Sequence, residues 1–258
     1  MTTLLEATDV RKFYGDTCAL DGVSLGIAEG EFVSIIGPNG AGKTTLVNVL
    51  TGLTAPSAGS VRFKGSDVAG AGPMRLARLG MARSFQLVTI FPGLSVYDTL
   101  AVAVLSRLRR SWRAWAALAR DGEVRAGVEE VAALFGLGDK LARVARTLPQ
   151  GDKKLLDVAS AFALHPDVIL MDEPTSGVST ADKTVIMQTL VQAARRMGVR
   201  AIVQVEHDMD IVFAYSHRII ALHQGRVLAD AAPDVLRTDA EVVRTVLGVA
   251  RRPEPGRA

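Results

Sequence analysis

The sequence predicts an α/β fold with a parallel-rich sheet and a helical segment inserted near its middle. A glycine-rich loop at residues 37–45 lies between a strand-like run and a helix-like run. Strand and helix patterns alternate again after residue 166, and parallel strands require crossover helices of this kind. Apolar residues at helical spacing dominate from about residue 87 to residue 165, which predicts the helical insert.

The individual elements follow from local patterns. The first ~70 residues are rich in strand patterns, with strands expected at 22–27, 32–36 and 60–63 and a turn at 56–59. Helices are expected at 96–108, 124–135, 153–164 and 181–197. Further strands are expected at 168–171, 201–205 and 218–222. The tail at 251–258 is rich in proline and arginine, and we expect it to be mobile.

Composition narrows the class of protein. The chain has 258 residues, 48 % of them apolar, which suits one large core with an inserted subdomain. No run approaches the ~18 apolar residues that span a bilayer, and the first residues lack the layout of a signal peptide. The single cysteine, Cys18, cannot form an internal disulfide. These features predict a cytosolic setting, with Cys18 as a core filler rather than a nucleophile.

The net charge of +3 is mild for a nucleic-acid-binding protein, and we expect no nucleic-acid partner. Residues 105–120 nevertheless contain five arginines, two tryptophans and no acid. Two interpretations of this segment stay open. It is either a surface that meets anionic lipid or a membrane partner, or a solvated helix face with two packing aromatics.

The loop at 37–45 has the pattern G-x-x-x-x-G-K-[ST], which binds phosphate where a strand precedes it and a helix follows. Its glycines permit backbone angles at which successive N–H groups face one anion, and the helix start adds a positive dipole end. Lys43 can reach the β- and γ-phosphates, and the Thr44 hydroxyl can hold Mg²⁺. The alternative is a glycine-rich turn with no ligand. The predicted nucleotide-binding residues of the loop are Gly37, Pro38, Asn39, Gly40, Ala41, Gly42, Lys43, Thr44 and Thr45.

Polar residues that follow the later strands complete the predicted site. Asp172 ends a buried-type strand and is predicted to hold Mg²⁺, while the next residue, Glu173, can polarise the attacking water as general base. A plain strand cap is the alternative for this acid pair. His207 follows the next strand and can donate to the γ-phosphate and sense hydrolysis. The Gln86 amide, where the strand-rich part meets the helical insert, can bind Mg²⁺ or the attacking water.

Together these motifs resemble the nucleotide-binding subunit of an ABC transporter, over about residues 5–248. Within that resemblance Tyr14 matches the aromatic that stacks on adenine, the loop at 37–45 matches Walker A, and the acid pair matches Walker B. Gln86 is similar to the Q-loop glutamine and His207 to the switch histidine. The resemblance implies one P-loop NTPase domain over 1–250, with an N-terminal antiparallel β subdomain. Its catalytic core would comprise 1–86 and 166–250, with an inserted helical subdomain at 87–165 that carries the signature loop.

The resemblance also implies an activity and partners. It implies an ATP-hydrolysing subunit that uses ATP and Mg²⁺ and is peripheral on the cytoplasmic face of the cell membrane. The implied partners are permease subunits, a second ABC ATPase subunit and, indirectly, an extracytoplasmic binding protein. Segments at 48–52, 81–86, 206–209 and 243–248 are similar to the branched-chain amino acid uptake group, which includes importers of amides and urea. The alternatives are an ATPase for lipid transport, a weakly hydrolysing regulatory module, or a soluble ABC ATPase that acts on nucleic acid or ribosomes.

Two departures from the family pattern bear on assembly. The family signature is L-S-G-G-Q, whereas residues 148–152 read L-P-Q-G-D. Pro149 offers neither a hydroxyl nor an N–H, and Asp152 would place negative charge near phosphate unless it caps the following helix. Ser179 stands where the family has the D-loop aspartate. Because each signature completes the site of the opposite subunit, these changes predict a heterodimer with a sister ATPase that supplies an intact signature.

Overall fold

The structure is a computed structural model that describes residues 2–84, 91–110 and 121–246. Its strands are β1 (Thr3–Tyr14), β2 (Thr17–Ala28), β3 (Phe32–Ile36), β4 (Ala58–Phe63), β5 (Ser66–Asp67), β6 (Met81–Arg83), β7 (Val168–Asp172), β8 (Ala201–Val205), β9 (Arg218–His223) and β10 (Arg226–Ala231). Its helices are α1 (Lys43–Leu50), α2 (Pro73–Leu79), α3 (Val96–Arg107), α4 (Gly122–Leu134), α5 (Gln150–Phe162), α6 (Thr180–Met197), α7 (Met209–Tyr215), α8 (Pro233–Thr238) and α9 (Ala240–Thr245).

The N-terminal strands form an antiparallel sheet with the order β2-β1-β4-β5. β1 and β2 make a long hairpin in which Tyr14 pairs with Thr17. Gly59 permits β4 to approach β1, because a Cβ atom there would lie 2.3 Å from the Asp9 carbonyl oxygen, and its φ of +87° favours glycine. Gly59 therefore allows β4 to pair closely with β1.

A second sheet forms the centre of the molecule, with the strand order β10-β9-β3-β8-β7-β6. The strands from β9 to β6 run parallel, and β10 is an antiparallel edge strand. Every residue of β3 and β8 is buried, as expected for strands covered on both faces. The carboxyl ends of β3, β7 and β8 meet at one edge, which is where ligands bind in open parallel sheets.

Apolar packing covers both faces of the central sheet. One core joins its first face to α1 and the antiparallel sheet. The other face packs against α3, α4, α5 and α6, where Phe135 and Phe162 meet edge to face with ring centroids 5.2 Å apart. A smaller cluster lies under α7, α8 and α9, beside β9 and β10. Within the described ranges, no helix is long and apolar enough to cross a membrane.

The predicted α/β class with a parallel-rich sheet is confirmed. The strands β1, β5, β6 and β10 and the helices α2, α7, α8 and α9 were not individually predicted. These helices have seven residues or fewer, too few to establish a helical period. In β1, shifts of register against β2 interrupt the alternation that marks a strand. β4 begins at Ala58, inside the predicted turn. α5 begins at Gln150, three residues before the predicted start.

The prediction for Cys18 is wrong, because this residue is exposed. It lies near the tip of the β1–β2 hairpin, opposite Phe13, where the strands extend past the core. The arginine- and tryptophan-rich segment is described only as far as Arg110, whose guanidinium pairs with Asp121 and Glu123. Both of those acids follow the segment in sequence.

Candidate functional site

The phosphate loop lies between β3 and α1, at the carboxyl edge of the central sheet. Two of its glycines are packed too tightly for any side chain. A Cβ atom on Gly37 would lie 2.3 Å from the Leu222 carbonyl oxygen, and one on Gly42 would lie 2.6 Å from that of Ala19. Gly42 also has a φ of 101° immediately before α1. The first turn of α1 holds no acidic side chain, so the positive end of its dipole is open to an anionic ligand.

The Lys43 side chain curls back over this loop. Its Nζ donates to the carbonyl oxygens of Gly37, at 2.7 Å, and Pro38, at 3.0 Å. Burial lowers the pKa of Lys43, and the negative charges of Glu173 and Asp172 oppose that shift. The loop therefore holds a buried cation whose present partners are neutral carbonyl groups.

Two cavities of about 320 Å³ each lie on either side of the acid pair. One lies over the phosphate loop and is lined by residues 39–45 and 17–19, together with Val205 and His207. The other is lined by Arg83, Ser84 and three residues of α5. Thr44, Asp172 and Glu173 line both cavities. The predicted metal-binding hydroxyl and carboxylate therefore lie in one continuous region.

Asp172 ends β7 and is held by an arginine that sequence reasoning missed. Arg83 Nη2 donates to Asp172 Oδ2 at 3.1 Å, and Arg83 Nη1 donates to Asn48 Oδ1 at 2.6 Å. The Arg83 side chain is only 10 % exposed. Burial lowers the pKa of Arg83, and the adjacent Asp172 carboxylate opposes that shift. Arg83 thus joins β6, α1 and β7 through charged hydrogen bonds.

Glu173 leaves the sheet in a left-handed backbone conformation, with φ of 51°. Its N–H donates to the Val205 carbonyl oxygen at 2.9 Å, and its own carbonyl accepts from Lys154 Nζ at 3.1 Å. Its Oε1 lies 3.1 Å from His207 Nε2. The two neighbouring acids therefore diverge: Asp172 contacts Arg83, and Glu173 contacts the predicted switch histidine.

A buried carboxylate holds the backbone around His207. Glu206 is 4 % exposed, and its Oε1 accepts from the N–H and hydroxyl of Thr175. Its Oε2 accepts from the N–H groups of His207, at 2.9 Å, and Asp208, at 3.4 Å. Asp208 in turn caps α7 and pairs with Lys183 at 2.6 Å. An acid directly after a buried strand and before the histidine was the only sequence signal for Glu206.

Tyr14 takes no part in these contacts. Tyr14 is half exposed at the hairpin tip, with Lys12 Nζ 5.1 Å from its ring centroid. It is paired with Thr17, which lines the cavity over the loop. Gln86 lies outside the described residues.

The departures in the signature segment have a defined structure. Pro149 is the N-cap residue of α5 and provides no side-chain capping bond. Asp152 does not cap the helix either: its Oδ1 accepts from Lys140 Nζ at 2.9 Å. Ser179 caps α6, because its Oγ accepts from the Asp182 N–H at 3.2 Å and donates to Asp182 Oδ2 at 2.8 Å. Asp152 and Ser179 therefore have local structural roles in this chain.

Comparisons with known proteins identify the family of the chain. The family described as "ABC transporter" matches residues 20–176. The branched-chain amino acid transport ATP-binding protein LivG of Salmonella typhimurium is 33 % identical over 254 residues, covering 96 % of this chain and 98 % of LivG. BraF of Pseudomonas aeruginosa, described in the same terms, is 32 % identical over 252 residues, covering 96 % of this chain and 98 % of BraF.

Solved structures show the same architecture. The ATP-binding cassette MJ1267 aligns with a TM-score of 0.86 and 26 % identity, covering 97 % of this chain and all of MJ1267. The cassette MJ0796, solved as a dimer bound to ADP and Pi, aligns with a TM-score of 0.74 and 26 % identity, covering 89 % of this chain and 99 % of MJ0796.

Proposed function

The chain belongs to the ABC transporter family as an ATP-binding, ATP-hydrolysing subunit, and we propose that it powers a membrane importer of branched-chain amino acids or related amides. The main structural support for ATP hydrolysis at this site is the contact of 3.1 Å between Glu173 Oε1 and His207 Nε2. Both side chains line the cavity over the phosphate loop. A base and a neighbouring hydrogen-bonding group beside that loop suit attack of water on a terminal phosphate.

We assign binding of the phosphates to the loop at 37–45. Lys43 exchanges its two carbonyl partners for β- and γ-phosphate oxygens, which compensate its buried charge better than neutral groups do. Tyr14, beside the cavity at the hairpin tip, is assigned to the adenine ring. The oxygens of Thr44 and Asp172 line the same region and suit Mg²⁺. Mg²⁺ held there would neutralise charge on the phosphate oxygens, and Gln86 remains a proposed further ligand.

We assign the chemical step to Glu173. Its carboxylate accepts the proton of the attacking water, while His207 holds the carboxylate and senses the γ-phosphate. Replacing Glu173 with glutamine keeps the side-chain shape but removes the base. We expect Glu173→Gln to bind ATP normally and to lose at least ~100-fold in kcat.

The test is ATP hydrolysis by the chain assembled with its sister ATPase and permease, with Lys43→Ala as the contrasting variant. Lys43→Ala is expected to weaken binding of a fluorescent ATP analogue, whereas Glu173→Gln leaves that binding unchanged. Wild-type turnover by Glu173→Gln would remove Glu173 from the role of general base.

The cargo assignment rests on the similarity to LivG and BraF over nearly the whole chain. The proposed partners are permease subunits, a sister ATPase and, indirectly, an extracytoplasmic binding protein, with this chain peripheral on the inner face of the membrane. Reconstitution with the cognate permease and binding protein should give ATP-dependent uptake of labelled leucine that Glu173→Gln abolishes. Uptake of urea or of a lipid instead of leucine would overturn this cargo.

We propose a heterodimer because this chain keeps its Walker residues but lacks the usual signature. Asp152 is already paired with Lys140, so its charge is fixed beside the start of α5. The isolated chain should therefore bind ATP but hydrolyse it slowly. Combining Pro149→Ser with Asp152→Gln should raise its turnover, and the same pair added to Glu173→Gln should not. Rapid hydrolysis by the unmodified homodimer would contradict the proposal.

A further inference from the structure

Lys154 is a buried cation that has no role in the hydrolysis proposed above. It lies in the first part of α5 and is 7 % exposed. Its Nζ donates to the Glu173 carbonyl oxygen at 3.1 Å and to Ser176 Oγ at 2.8 Å. A lysine is seldom buried without partners that compensate its charge. Here both partners belong to the loop that starts with the proposed general base.

We infer that Lys154 is the positioning residue of Glu173, and that it ties the helix of the signature segment to the catalytic base of the same chain. The Glu173 backbone has a φ of 51°, a conformation that a glutamate seldom adopts unless its surroundings fix it. Three hydrogen bonds fix it here. The Val205 carbonyl accepts from its N–H, and its own carbonyl accepts from Lys154 Nζ and, at 3.2 Å, from the Ser176 N–H.

This backbone conformation decides where the Glu173 carboxylate lies. Its carbonyl is held on the side of the cavity that Lys154 lines, and its carboxylate reaches His207 in the cavity over the phosphate loop. Without Lys154, the Glu173 carbonyl keeps only the bond from the Ser176 N–H, and Ser176 itself loses the bond from Lys154 to its Oγ. The peptide after Glu173 can then rotate toward ordinary angles, and the carboxylate leaves the position facing the phosphate loop. A general base must lie within hydrogen-bond reach of the proton it accepts, so turnover falls while nucleotide binding does not.

The contact also joins two different elements of the fold. α5 begins at the signature segment, whereas Glu173 follows β7 of the central sheet. Gly151, in the first turn of α5, lies beside Asp182 of α6: a Cβ atom built on this glycine would be 3.6 Å from Asp182 Cγ. A displacement of α5 is therefore transmitted through Lys154 to the base. This inference rests on the proposed role of Glu173.

The decisive variant is Lys154→Met, which keeps the length and packing of the side chain but removes Nζ. We expect kcat to fall about tenfold to a hundredfold, with unchanged affinity for a fluorescent ATP analogue. Lys154→Arg should recover most of the activity, because a guanidinium can also donate to the carbonyl. Lys153→Met is the matched control. It makes the same change one residue away on α5, in a lysine whose Nζ contacts no partner among the described residues, and it should retain wild-type kcat.

A double-mutant cycle separates this inference from the role on which it rests. If Lys154 acts through Glu173, adding Lys154→Met to Glu173→Gln causes no further loss of turnover. Hydrogen exchange in residues 172–177 should also be faster in Lys154→Met than in Lys153→Met, a readout that needs no turnover. Wild-type kcat in Lys154→Met, or equal losses in Lys154→Met and Lys154→Arg, would overturn the inference. If Glu173→Gln alone kept full activity, the proposed general base would fail instead.

Discussion

Replacing Arg83 with methionine should destabilise the nucleotide-free protein, because it leaves Asp172 and Asn48 without their shared partner. Removing one member of a buried ion pair typically costs about 3–5 kcal/mol. The Asp172 side chain is 28 % exposed, so water partly compensates its charge, and the expected loss is about 2–3 kcal/mol. In a chain of this length that corresponds to a fall in Tm of about 5–10 °C.

The assay is thermal unfolding of the full chain, followed by circular dichroism without nucleotide or Mg²⁺. The Tm of Arg83→Lys should lie between those of the wild type and Arg83→Met, because an ammonium cannot reach both acceptors in the way a guanidinium does. Combining Arg83→Met with Asp172→Asn should cost about 1–2 kcal/mol less than the sum of the single changes. A wild-type Tm for Arg83→Met, or strictly additive losses in the double variant, would refute the reasoning.

Three further predictions concern parts of the fold away from the nucleotide. Gly59→Ala should lower the free energy of unfolding by more than ~2 kcal/mol in a urea titration, because its Cβ would meet a strand carbonyl at 2.3 Å. Gly65→Ala is the control: its Cβ would meet nothing within 4 Å, so it should lower that free energy by only about 1 kcal/mol. Burial, with a smaller contribution from a nearby arginine, lowers the pKa of His165. The free energy of unfolding should therefore fall as pH drops from about 6.5 towards the lowered pKa of His165, because the unfolded chain takes up this proton first. The urea midpoint of His165→Asn should depend less on pH than that of the wild type over this range. Ser179→Ala should lower the free energy of unfolding by about 1 kcal/mol, since it removes the cap that bonds Asp182, and Ser179→Asn should restore it; equal midpoints for the two variants would argue against the cap.

The sequence predicted the parts of this fold that local chemistry determines. The glycine spacing before Lys43 indicates a phosphate loop, and buried-type strands followed by acids or histidine indicate a shared sheet edge. Contacts between distant residues leave no such pattern. Arg83 reaches Asp172 across 89 positions, and nothing in the local sequence of Lys154 indicates that it bonds the Glu173 carbonyl. The prediction that Cys18 is buried was wrong for a related reason: a strand pattern does not show where a hairpin extends beyond the core.

The buried carboxylate of Glu206 has a consequence for how the site responds after hydrolysis. One of its oxygens binds Thr175, two residues after Glu173, and the other binds the backbone of His207 and Asp208. The loops that follow β7 and β8 are therefore cross-linked beneath the surface. In the proposed ATPase cycle, we expect them to move as one unit when phosphate leaves, rather than as two separate loops. The phosphate loop before α1 has no part in this cross-link and packs instead against the carbonyl groups of Leu222 and Ala19, at Gly37 and Gly42.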